Sequence, residues 1–157
     1  MSNCQTAIKE KAISGTIQNG ANLTVHLDKM TIGGANTVVG STQIDEQGNF
    51  KVPLEEGLEA GLYRIRIGAK RAFLPIEGGE TSLNINGSLE SFDKYDFSVK
   101  GSDAASEAIS TIKKMVSRQI EPVGVQNEIR DYKSPMAAAV VSYLAMNNPQ
   151  YLSLIHI

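Results

Sequence analysis

The chain of 157 residues has no tryptophan, one cysteine and two histidines, and aromatic residues make up only 6% of it. Each shortage closes off a class of chemistry. A single thiol, Cys4, cannot form an internal disulfide, a Cys-x-x-Cys redox pair or a cysteine-based zinc cluster. His26 lies between Val25 and Leu27 and points outward if those two face a core, while His156 sits in the terminal run "LSLIHI". One usable imidazole supports neither a histidine-rich metal site nor a paired-histidine mechanism. No Gly-x-Ser-x-Gly elbow accompanies it, so a Ser-His-Asp hydrolase has no frame. The lack of tryptophan and the few rings argue against a sugar-stacking cleft. Net charge is also small: 15 basic against 17 acidic residues give −2, a balance that calls for neither nucleic acid nor an anionic membrane. No apolar run reaches the roughly 18 residues of a membrane helix.

What is present reads as an ordinary globular chain, 41% hydrophobic and 20% charged. Its length suits one domain, or one domain with part of another, burying roughly two-thirds of its unfolded surface. From Ala12 to Gly101 apolar residues recur with period two between turn signals, the pattern of many short antiparallel strands. Ile13, Gly15 and Ile17 alternate with polar neighbours, Asn19-Gly20 offers a hairpin signal, and Leu23, Val25 and Leu27 resume the alternation. Phe50 and Val52 repeat it, and Pro53 argues against a central position in a sheet. In "LYRIRIG" Tyr63, Ile65 and Ile67 point one way and Arg64 and Arg66 the other. Leu83 with Ile85 and Phe97 with Val99 complete about eight strands, the layout of a sandwich.

At Gly101 the period changes. Ala105, Ala108, Ile109, Ile112, Met115, Val116 and Ile120 form one helical stripe, capped by Ser102 or Asp103 and ended by Pro122. "EPVGVQNEIRDYK" reads as a linker, and "SPMAAAVVSYLAMNNP" as a second helix with Ser134 as cap and Pro135 in its first turn.

The remaining polar clusters have structural explanations that outweigh chemical ones. Glu55, Glu56 and Glu59 lack the spaced ligands of a calcium loop and read as a solvated connection. Gly33-Gly34 and Gly78-Gly79 lack a phosphate-cradling frame and read as turns. Arg64 and Arg66, with Lys70 and Arg71 nearby, form either a basic strip for an acidic partner or the wet face of a strand. Asn22-Leu23-Thr24 fits a glycosylation triplet by spacing alone. Cys4, in "MSNC", is either a free thiol near a terminus or, if translation starts upstream, the lipid-attachment residue that follows a lipoprotein signal.

The stretches "ISGTIQNGANLTVHLDK", "STQIDEQGNFKV", "GLYRIRI", "FLPIEGGETSLNINGSLESF" and "FSVKGSDAASE" resemble, over roughly residues 12 to 107, the N-terminal domain labelled DUF4369 of envelope proteins from Bacteroidetes-type bacteria. The resemblance implies a β domain followed by a helical segment and then a thioredoxin-like domain of the thiol-disulfide oxidoreductase or peroxiredoxin-related type. It also implies a lipoprotein, with Cys4 as anchor. The Trp-Cys-x-x-Cys motif of such a redox domain is absent from this sequence. The closing "LSLIHI" is what CTG TCT CTT ATA CAC ATC specifies, a string resembling the transposon-end adapter of sequencing libraries, so residues 152–157 are expected to be a scar.

The expected organisation is therefore a tether over 1–11, an antiparallel β-sandwich over 12–101, two connecting helices over 102–151 and the scar over 152–157. The expected role is a non-catalytic docking or spacer module of an envelope thioredoxin-like parent, without catalytic residues, metal or cofactor. Its partner would be another protein or the downstream redox domain, and it would meet the membrane only through a lipid anchor. The alternative is a stand-alone lipoprotein whose sandwich binds a peptide or glycan.

Overall fold

The computed structural model describes residues 10–31 and 33–148. Eight strands form two four-stranded sheets. In chain order they are β1 (Ala12–Gln18), β2 (Thr24–Lys29), β3 (Thr37–Gln43), β4 (Asn49–Pro53), β5 (Gly61–Ile67), β6 (Lys70–Ile76), β7 (Ser82–Ser88) and β8 (Phe97–Lys100). One sheet has the order β4-β1-β7-β8 and the other β3-β2-β5-β6. The expected sandwich of about eight strands is present, with helices following it.

The period-two residues build the core. Ile13, Ile17, Val52, Leu83 and Ile85 of the first sheet, with Val25, Leu27, Tyr63, Ile65, Ile67, Leu74 and Ile76 of the second, are all buried. Burying each aliphatic side chain is worth about 1.5–3 kcal/mol, which fixes the register because a one-residue slip would turn the whole set to water. Proline falls where it costs no ladder bond. Pro53 closes the edge strand β4, and Pro75 lies in β6, at the edge of the other sheet.

Three connections differ from the sequence expectation. Asn19-Gly20 does not turn a hairpin, since β1 and β2 belong to different sheets; Asn19 and Asn22, at φ +61° and +66°, carry the chain around a corner over the buried Gly20. The same left-handed turn chemistry serves an inter-sheet corner as well as a hairpin. The first sheet is also not wholly antiparallel, because β1 runs parallel to β7 from Ala12↔Ser82 to Gln18↔Ser88. Since β7 arrives from β6 in the opposite sheet, no tight turn dictates its direction.

The third difference is an additional helix. α1 (Asp103–Val116) and α3 (Pro135–Met146) match the two expected, but the "linker" contains α2 (Pro122–Arg130). Pro122 does not stop α1, which ends at Val116; it starts α2, where a missing N–H costs nothing. Val125 is buried and Ile129, one turn on, packs against the core. Ser102 and Ser134 cap α1 and α3 as anticipated, accepting from Ala105 N at 3.1 Å and Ala137 N at 3.0 Å. Ala104, Ala105, Ala108, Ile109, Ile112 and Met115 are buried where α1 packs on β6 and β8, closing that side of the sandwich, while Val116 is 46% exposed and leaves the expected stripe. α3 packs on α1, α2 and β6.

Candidate functional site

The outer face of the β3-β2-β5-β6 sheet carries the densest charge constellation among the described residues. Strand alternation puts His26 and Asp28 of β2 on that face, together with Arg64 and Arg66 of β5. Register aligns them into two rows across four strands: Ser41–His26–Arg66–Arg71 and Val38–Asp28–Arg64–Phe73. The ladder with β3 slips between Leu27 and Asp28, giving β3 one extra residue, Val39.

Arg64 and Arg66 do not lie loose on a wet face. Both fold over Asp28, which is only 1% exposed. Arg64 donates from Nε and Nη2 to Asp28 Oδ2 at 3.0 and 2.9 Å. Arg66 donates from Nε to Oδ2 at 2.6 Å and from Nη2 to Oδ1 at 3.0 Å. The hydrogen bond from Arg66 holds the Asp28 carboxyl below the usual carboxylate range, overcoming burial, and Arg64 adds to the effect. Asp28 in turn raises Arg66. A carboxylate with a depressed pKa and four accepted bonds is a poor general base; here it acts as a fastener that fixes two guanidinium groups.

The other sequence candidates fall elsewhere. Lys70 leaves the strip to pair with Asp93 at 3.1 Å, while Arg71 stays exposed. His26 is half-buried and faces outward as expected. Glu55 and Glu56 are exposed in the β4–β5 connection, and Glu59 pairs with Lys29. Asn22 occupies the corner before β2 and is exposed. Gly33, Gly78 and Gly79 sit in turns at positive φ. Cys4, His156 and residues 152–157 lie outside the described residues.

Sequence reading missed a second group of carboxylates, which fasten the helices. A hollow of about 670 Å³ between the β6–β7 turn and the start of α1 is flanked by Glu77 and Glu80, and both are engaged. Glu80 accepts from the Glu77 and Gly78 amides at 3.1 and 2.8 Å and from Ser102 Oγ at 3.0 Å. Glu77 accepts from Ser134 Oγ and, at 2.9 Å, from Met136 N; the Ser134 bond lowers its pKa most. Glu107 of α1 receives the Lys133 and Ser134 amides at 2.8 and 3.1 Å. Tyr132, its pKa pushed up to about 12 mainly by burial, donates to Glu107 O at 3.0 Å. The available signal was modest: Glu77 and Glu80 flank a Gly-Gly turn, where free amides need acceptors.

Ser134 joins these contacts to the helix cap. Replacing it with alanine is expected to cost about 1–2 kcal/mol, measured as a lower urea midpoint with unchanged slope, and threonine should restore most of the loss.

No family model and no curated protein matches the chain. Among solved structures, Klebsiella pneumoniae 5-hydroxyisourate hydrolase aligns with a TM-score of 0.39 and 15% identity, covering 58% of this chain and 97% of that one. A likeness this slight bears on neither mechanism nor ligand.

Proposed function

We propose that the chain is a non-catalytic docking or spacer module of an envelope-anchored, thioredoxin-like thiol-disulfide oxidoreductase. One observation carries the non-catalytic part of this reading: Asp28, Glu77, Glu80 and Glu107 spend their oxygens on guanidinium, amide and hydroxyl donors. Such carboxylates hold shape and aim neighbouring groups, and give little proton transfer. Supporting the parent is the order of short motifs over residues 12 to 107, which resembles the DUF4369 domain of such envelope proteins. In that setting Cys4 carries the lipid, and the helices lead toward the redox domain.

Reading the genomic locus past Tyr151 tests the parent. A Cys-x-x-Cys motif within about one hundred residues is expected, the size of a small domain. A stop codon directly after the codons for residues 152–157 would remove the redox parent and favour a stand-alone binding lipoprotein. The present chain should also give no turnover in a thiol-disulfide exchange assay. Activity that persists in Cys4→Ser would overturn the non-enzymatic assignment.

A further inference from the structure

We infer that the outer face of the β3-β2-β5-β6 sheet is a docking surface for a carboxylate-bearing segment of a partner protein. This deepens the docking reading and rests on it in one respect, that the occupant is protein.

This face carries a charge conflict. In the row Ser41–His26–Arg66–Arg71, three basic side chains follow one another across β2, β5 and β6 with no acid among them. Directly opposed like charges in a sheet are destabilising, and Arg66 stands directly opposite Arg71. Asp28, in the next row, relieves this only in part: its oxygens accept four bonds, all from Arg64 and Arg66, and it is the one carboxylate in two rows that hold three guanidinium groups. The face thus keeps an excess of positive charge on a chain whose net charge is −2.

The geometry is prearranged for an anion. Arg64 and Arg66 both turn their Nε–Nη2 edges to Asp28, and among the described residues neither Nη1 has an acceptor, which leaves that end of each fork for a bound carboxylate. Because Asp28 already immobilises these long side chains, little further ordering cost falls on binding. Planar guanidinium donors match carboxylates well. One feature selects a protein segment over a phosphate polymer or an anionic membrane: the neighbouring row ends in Val38, 56% exposed, which offers the apolar contact that polypeptide interfaces use.

The test titrates the full chain into a fluorescein-labelled synthetic peptide of alternating Glu and Ser, read by anisotropy. A Gln-for-Glu peptide, inorganic phosphate and phosphatidylglycerol vesicles are run beside it. The Glu peptide should bind and weaken with added salt, and the Gln peptide should not bind. Arg71→Gln, exposed and outside the Asp28 contacts, should weaken binding roughly fivefold while its melting temperature stays level or rises, as relief of the Arg66 conflict requires. Arg66→Lys keeps the charge, loses the fork and should also bind more weakly. No binding of the Glu peptide, equal binding of the Gln peptide, unchanged binding by both variants, or preference for phosphate or vesicles would each overturn the inference. These readouts are independent of the locus: an early stop with peptide binding intact removes the redox parent and leaves the docking face, and a redox domain downstream without peptide binding does the reverse.

Discussion

Gly15→Ala is expected to cost the protein at least ~4 kcal/mol and to bring it close to unfolding at room temperature. An alanine Cβ at this position would stand 1.6 Å from the Ile85 carbonyl oxygen, 2.6 Å from its carbon and 2.9 Å from its nitrogen. All three are backbone atoms of β7, the parallel neighbour of β1 in the sheet centre, and Gly15 pairs with Ile85. No rotamer change removes the overlap. The two strands must separate locally, giving up ladder bonds in a region where Ile13, Ile17, Leu83 and Ile85 are buried. Gly33→Ala is the comparison. That glycine has φ +73° and open space around its Cβ, so only backbone strain applies, roughly 1–2 kcal/mol. Urea denaturation of both variants should separate the two costs. A Gly15→Ala midpoint matching that of Gly33→Ala would show that β1 and β7 are not so closely paired.

The contrast between these glycines also shows what sequence reading reaches. The alternation in "ISGTI" puts Ile13 and Ile17 on the core side because a strand repeats every two residues, a local rule that needs no partner. The facing of Tyr63, Ile65 and Ile67, the edge position of Pro53 and the Ser134-Pro135 helix start follow from equally local rules, and each holds in the structure. The parallel β1–β7 pairing is of another kind. It depends on which strand lies alongside, and β7 begins some 70 residues after β1. α2 was missed for a mixed reason: Pro122 carries two local meanings, a stop for the helix before it and a start for the one after.

The charged face illustrates the same limit. That Arg64 and Arg66 point away from the core was readable from alternation, yet alternation says nothing about a carboxylate beneath them. Asp28 lies 36 residues before Arg64 and 38 before Arg66, and it attracts no notice in "HLDK". The aspartate is buried only because the sheet brings both arginines over it. A buried charge identified by its partners becomes visible once the strand order is known.

That dependence sets the size of the last expected result. Arg64→Met combined with Arg66→Met keeps much of the apolar stem over Asp28 while removing both guanidinium groups, and should cost about 3–5 kcal/mol at neutral pH, because it leaves a buried carboxylate without a counter-charge. Adding Asp28→Asn should recover most of the loss, since a neutral amide needs no counter-charge; this separates charge from packing. The pH dependence should change sign between the two backgrounds. In the native protein the arginines depress the Asp28 pKa, so its contribution is full above the unfolded value near 3.9 and is lost as pH falls through the lower, folded value. In the double variant burial acts alone and raises that pKa, so the folded state gains relative to the unfolded as pH falls through it and the carboxyl takes up a proton. The stability gap between the two proteins should therefore narrow from both sides on acidification, while the other carboxylates titrate alike in each and cancel. A gap that stays constant from neutral pH to about pH 3 would mean that Asp28 is neither buried nor held by the two arginines.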